Sequence, residues 1–146
     1  MRKFLLPISL LLCTFSFSYA DNGFLPSADG ERLEYSATIE MRGAAVSGIC
    51  IVKRNGDEIV GSLVNEFGIK MMDFTCDIGC RRIRCRNVIK MMDKWYIRKV
   101  IKSDLRFLFS QSETVRNKRF DLTVDNDIRR LEDLRYGIAY TFAPIN

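Results

Sequence analysis

The chain has 146 residues, of which 47% are hydrophobic, 28% charged and 11% aromatic, with a formal net charge of +5 and no histidine. That length and apolar fraction suit one globular domain and argue against wholesale disorder or a polytopic membrane protein. The absent histidine excludes Ser-His-Asp and Cys-His catalytic pairs, His-ligated zinc and histidine-held haem.

Residues 1–20 have the anatomy of a secretory signal peptide. Arg2 and Lys3 form a basic start, Phe4 to Phe17 is apolar, and Ser18-Tyr19-Ala20 places small residues at −3 and −1 of a cleavage site after Ala20. The apolar run is shorter than the ~20 residues of a spanning helix, and it contains Pro7, Ser9 and Thr14. Cys13 follows Leu10-Leu11-Leu12, whereas an acylated lipobox cysteine needs a small residue before it. The expectation is a soluble periplasmic chain from Asp21, secreted through the inner membrane. Losing Arg2 and Lys3 leaves 21 basic residues against 18 acidic ones, a net charge of +3. Such a charge argues against a nucleic-acid partner.

Residues 21–30, rich in Gly, Pro, Asp, Asn and Ser, read as a flexible leader into a single β-rich domain over 31–146. Alternation predicts a strand over Leu33–Arg42, with Leu33, Tyr35, Ala37, Ile39 and Met41 on one face. A second strand, Val46–Arg54, stops at Asn55-Gly56. This dipeptide is a strong hairpin signal, because both loop residues must accept positive φ. Ile59–Phe67 returns, with Ile59, Leu63 and Phe67 on one face, and Gly68 permits a reversal into Ile69–Cys76. A three-residue loop ending in Gly79 leads to a fifth strand over Arg81–Ile89. Five strands joined by short turns make an antiparallel meander.

From Asp93 to Phe109 the period becomes helical: Ile97, Ile101, Leu105 and Leu108 recur on one stripe, which Val100 widens. Asp93 is a candidate N-cap. Lys94, Arg98, Lys102 and Arg106 fall four apart in a basic line, within a stretch from Arg81 to Arg106 that has ten Lys or Arg and only Asp93 and Asp104 as acids. That line is either a solvated face or a contact for anionic headgroups or an acidic partner. Phe120–Val124 and Tyr136–Phe142 read as late strands. The charged stretch between them reads as a loop or helical turn, and Pro144 ends the last strand. The fold class is therefore α+β, an antiparallel sheet with one main amphipathic helix.

Four cysteines follow the signal: Cys50, Cys76, Cys80 and Cys85. Their spacing does not match a zinc ribbon, so no metal site is expected. Cys76 and Cys80 flank one turn and are the candidate disulfide, with buried free thiols as the alternative. There is no phosphate-cradling glycine loop and no nucleophile elbow, so neither an enzyme nor a cofactor is expected.

The segments Val46-Ser47-Gly48-Ile49-Cys50-Ile51-Val52-Lys53 and Gly61-Ser62-Leu63-Val64-Asn65-Glu66-Phe67-Gly68-Ile69-Lys70 pair a Gly-containing strand with a strand ending in a Gly turn. Asp93-Lys94-Trp95-Tyr96-Ile97 then opens a covering helix. In this order of elements the chain resembles the LolA/LolB-like superfamily of periplasmic lipoprotein carriers. It also looks like uncharacterised exported proteins of the Bacteroides group. The resemblance implies a curved sheet, an incomplete barrel, with the helix packed on or capping its concave face, and acyl chains of a lipid or lipoprotein held between them. Under it, Cys50, Val52, Ile59, Leu63, Phe67, Met72 and Phe74 line an apolar cavity. Trp95, Ile97, Ile101 and Leu105 form its lid, and Lys94, Arg98, Lys102 and Arg106 face a headgroup or membrane. The same apolar residues equally suit an ordinary sheet–helix core. The alternative function is accordingly a cell-envelope interaction or scaffolding module, with a filled core and a basic surface.

Overall fold

The computed structural model describes residues 23–145, so the expected signal peptide and its cleavage site lie outside the described residues. The elements are β1 (Arg32–Met41), β2 (Ala44–Asn55), β3 (Glu58–Asn65), β4 (Lys70–Asp77), β5 (Ile83–Arg86), α1 (Trp95–Ser110), β6 (Val115–Arg116), β7 (Phe120–Asp125), β8 (Ile128–Asp133) and β9 (Ile138–Pro144). The nine strands of the described residues form one antiparallel sheet in the order β5-β4-β3-β2-β1-β9-β8-β7-β6.

This order explains the role of the helix. The chain meanders outward from β1 to the edge strand β5, then crosses through α1 to the opposite edge at β6. It meanders back until β9 pairs with β1 at the centre. The helix packs against both β5 and β8. Those strands are six places apart, a separation of about 28 Å in a flat sheet, whereas a helix is only about 10–12 Å thick. The sheet therefore curls around α1, and it is not closed into a barrel.

Two glycines permit the curl. A side chain at Gly61 would overlap the ring of Phe74, which pairs with it across β3 and β4 and covers the space where a Cβ would be. At Gly48 a Cβ would collide with the carbonyl of Val64, where β3 changes register between Leu63 and Val64. The bulge bends the strand locally.

The five-strand meander matches the sequence expectation, with two differences in its turns. Asn55 pairs with Glu58, so the β2–β3 loop is Gly56-Asp57 and only Gly56 has positive φ. Beyond the bulge, β3 ends at Asn65, whose side chain accepts the amides of Phe67 and Ile69. Phe67 thus leaves the face of Ile59 and Leu63 for a turn and is 79% exposed.

Three expectations are corrected. The leader is anchored within residues 23–30: Phe24 and Leu25 are buried, and Tyr35 donates its hydroxyl to the Phe24 carbonyl at 2.6 Å. The N-cap of α1 is Lys94 without a side-chain cap, while Asp93 pairs with Arg98 at 3.1 Å. The stretch read as a loop or helical turn contains β8, entered by a tight turn at Asn126-Asp127, both with positive φ. Asn and Asp tolerate that region best among residues with side chains.

The core is one cluster in which α1 contributes Ile101, Leu105, Leu108 and Phe109. Phe109 is its hub. It stacks on Phe74 at 5.2 Å and on Phe24 at 5.7 Å, and meets Phe142 edge-on at 5.8 Å.

Candidate functional site

The residues expected to line a cavity divide into two groups. Cys50, Val52, Ile59, Leu63, Met72 and Phe74 from the sheet, with Ile101 and Leu105 from the helix, are buried together in the core. They belong to the same cluster as the rings stacked around Phe109. Phe67 and Trp95 are outside, and Trp95 is 77% exposed. Ile97 is half-buried at the edge of the core.

Open space lies at the start of the helix. A cleft of about 630 Å³ is bounded by the first two turns of α1, the β1–β2 turn and the β8–β9 turn. That volume falls within the ~300–1,000 Å³ of small-molecule sites. Its apolar wall comprises Met41, Trp95, Ile97, Val100, Tyr136 and Ile138. Arg42, Lys99, Arg119 and Arg135 stand around it, and no acidic residue is among its described lining. Arg42-Gly43 forms the β1–β2 turn with both residues at positive φ, which brings the Arg42 side chain to the rim. The cleft therefore offers apolar contact beside four cations.

A buried polar network supports its floor. The Tyr140 hydroxyl donates to Asp104 at 2.7 Å, while Arg119 reaches Asp104 at 3.3 Å and Asp133 at 3.1 Å. Asp133 also accepts the backbone amides of Arg135 and Tyr136, which fixes the β8–β9 turn. Both carboxyls are fully buried, whereas Arg119 is partly exposed and lines the cleft. Burial, then the hydrogen bond to Asp133, pushes Asp104 up to about 8. Burial opposes ionisation of Asp133 too, but hydrogen bonds from Asp104 and Arg119 hold it below the usual carboxylate range. The pair thus shares one proton, with Asp104 as the neutral member. The Arg119 guanidinium also sits over the rings of Phe120, at 4.7 Å, and Tyr136, at 5.3 Å.

Further along β8, Arg129 is buried as well. It donates to the carbonyl of Leu108 at 2.8 Å and to that of Gln111, and its guanidinium lies 4.4 Å from the centre of the Phe24 ring. These are carbonyls that the end of a helix leaves unsatisfied.

On the other side of α1, Arg84, Arg86, Arg98, Lys99 and Lys102 line a second, shallower groove between the helix and β5. Of the expected basic line, the groove gathers Arg98 and Lys102. Lys94 is displaced to the N-cap, and Arg106 lies further on, close enough to Cys80 to act on its thiol. Arg98 is partly committed, since it donates to the Cys85 carbonyl at 3.0 Å.

The expected Cys76–Cys80 bridge is not formed. Both are free buried thiols, and the hydrogen bond that the Cys80 thiol makes to Cys76, together with burial, raises it. Burial also raises Cys50, to about 12, and Cys85. Such thiols are poor nucleophiles and metal ligands, because the thiolate is the reactive form. No group of three or more His, Cys, Asp or Glu is placed to hold a metal among the described residues.

No protein-family model and no curated protein sequence matches the chain. The residues that sequence reasoning missed are Asp104, Arg119, Arg129, Asp133 and Tyr140 in the buried network, and Arg42, Lys99, Arg135 and Tyr136 at the cleft. One signal was present: Arg129, Leu131 and Asp133 alternate with exposed Ile128, Arg130 and Glu132, a period of two with charges inward.

Proposed function

We propose that the protein is an exported, non-catalytic binding domain of the Gram-negative envelope that takes an anionic amphiphile, a lipid or a lipidated ligand, in the cleft at the start of α1. The supporting observation is the composition of that cleft, an apolar wall beside Arg42, Lys99, Arg119 and Arg135. An acyl chain would gain ~0.8 kcal/mol for each buried CH₂, and the cations would hold its anionic end. The site lies apart from the sheet–helix interior expected from the sequence, whose residues belong to one core cluster. Asp104, the carboxyl with the most displaced protonation, has no exposed surface to meet a substrate. This favours binding over acid–base chemistry.

The single core cluster favours a second reading, an envelope interaction module whose basic surface binds a partner. A single titration separates the two. Trp95 is the only tryptophan and lines the cleft, so its emission reports occupancy. Lysophosphatidylglycerol, added below its micellar concentration, should cause a saturable blue shift. Arg135→Glu and Tyr136→Ala should weaken it about tenfold each, by loss of a charge-assisted contact and of apolar area. A non-saturable response, or none, would leave the interaction module.

A further inference from the structure

Met91 and Trp95 are the most exposed large apolar side chains near the start of the helix, at 69% and 77%, and Tyr96 beside them is 49% exposed. The Trp95 and Tyr96 rings meet edge-on at 5.9 Å, so together they form one aromatic projection. Water makes such exposure costly unless another phase covers it.

The surroundings are cationic. Trp95, Arg98, Lys99 and Lys102 follow helical spacing and share one side of α1, and Arg84 and Arg86 of β5 face them across the shallow groove. Lys90 and Lys94 flank Met91 in sequence and are exposed. Arg84, Arg86, Lys99 and Lys102 make no salt bridge among the described residues; the nearby acid, Asp93, pairs with Arg98. Cations at a helix start also oppose the helix dipole, so the arrangement costs stability when nothing anionic lies against it.

We propose that this surface docks on an anionic phospholipid bilayer. Met91, Trp95 and Tyr96 enter the interfacial layer, and Lys90, Lys94, Lys99, Lys102, Arg84 and Arg86 contact lipid phosphates. Charge complementarity requires an anionic partner, and the exposed Trp95–Tyr96 pair and Met91 select a bilayer. Aromatic rings favour the headgroup layer, and lysine stems lie along apolar surface while their charges reach water. A polyanion such as nucleic acid or an acidic protein would satisfy the cations but leave Met91 in water.

Trp95, Tyr96 and Lys99 border both the cleft and this surface, so the two readings are separated by residues that belong to only one of them. Lys102, Arg84 and Met91 do not line the cleft, and Arg135 and Tyr136 do not line the groove. The test is co-sedimentation of the mature protein with vesicles of phosphatidylcholine alone or with 30% phosphatidylglycerol, at low and high salt. Binding should require the anionic lipid and fall sharply with salt. Lys102→Glu with Arg84→Glu should reduce partition at least about 30-fold, since each cation near such a surface contributes roughly fivefold. Trp95→Ala and Met91→Ser should each reduce it several-fold, with an unchanged unfolding midpoint as the folding control. Arg135→Glu should keep most of the vesicle binding while weakening the lysolipid titration about tenfold. Equal binding to neutral vesicles, no binding to either, or binding unaffected by the double reversal would overturn the proposal. Salt-sensitive binding to a DNA duplex without vesicle binding would overturn it too and give the surface to a polyanion.

Discussion

Helix α1 is held by two different kinds of contact. Toward β1–β4, Phe109, Leu105 and Ile101 meet Phe74, Met72, Val52 and Ile59 in a purely apolar packing. Toward β7–β9, Asp104 meets Tyr140, Asp133 and Arg119, and the carbonyls near the helix end meet Arg129. Apolar packing tolerates any complementary shape. Buried polar groups tolerate only a full set of partners, because each unpaired one costs about 1–3 kcal/mol. The polar side therefore specifies where the helix sits, and it does so directly beneath the cleft.

The largest effect is expected on the apolar side. Phe109→Ala removes the ring on which Phe24, Phe74 and Phe142 converge, and should cost about 3–5 kcal/mol in urea unfolding. Asp133→Ala is the matching cut on the polar side. It strips partners from Arg119 and from two backbone amides, and should cost about 3 kcal/mol. It should also weaken lysolipid binding, since the β8–β9 turn borders the cleft. A cost below about 1 kcal/mol would show that the polar contacts do not position the helix.

The smallest and most selective effect is Asp104→Asn. Asp104 keeps its proton in the folded state up to about pH 8, whereas an unfolded aspartate loses it near ~3.9. Its contribution is fully present in acid and is lost as pH rises from about 4 to about 8. Asp133 has the opposite sign: its contribution is present at neutral pH and lost below its depressed folded value. Folding at pH 6 should thus take up about one proton per chain. Asp104→Asn, which stands in for the neutral acid, should shift stability by under about 1 kcal/mol at pH 5 and flatten the decline toward pH 8. An unchanged pH slope would place the shared proton elsewhere.

The difference between the two sides also marks how far the sequence could be read. Tyr35, Ala37 and Ile39 on β1 and the Ile101–Leu105–Leu108 stripe are legible because burial there follows hydrophobic periodicity. Strand β8 is illegible for the converse reason. Its inward residues are Arg129, Leu131 and Asp133, so a periodic strand looks like a polar turn. The charges are stable there only because their partners arrive from residues distant in sequence, 21 positions away for Leu108 and 14 for Arg119. Phe67 shows the local counterpart, since the turn built on the Asn65 side chain carries it from the core face into water.

By itself, then, the sequence determined the antiparallel meander, the single amphipathic helix and the concentration of cations around it. These follow from residue spacing and from turn residues a few positions apart. The tertiary structure alone decided that β9 returns to the centre beside β1 and that the helix crosses from edge to edge. It also placed most of the expected lining residues in the core and a cleft at the helix start. Those features depend on pairings between distant segments, where long-range hydrogen bonds and shape outweigh local pattern.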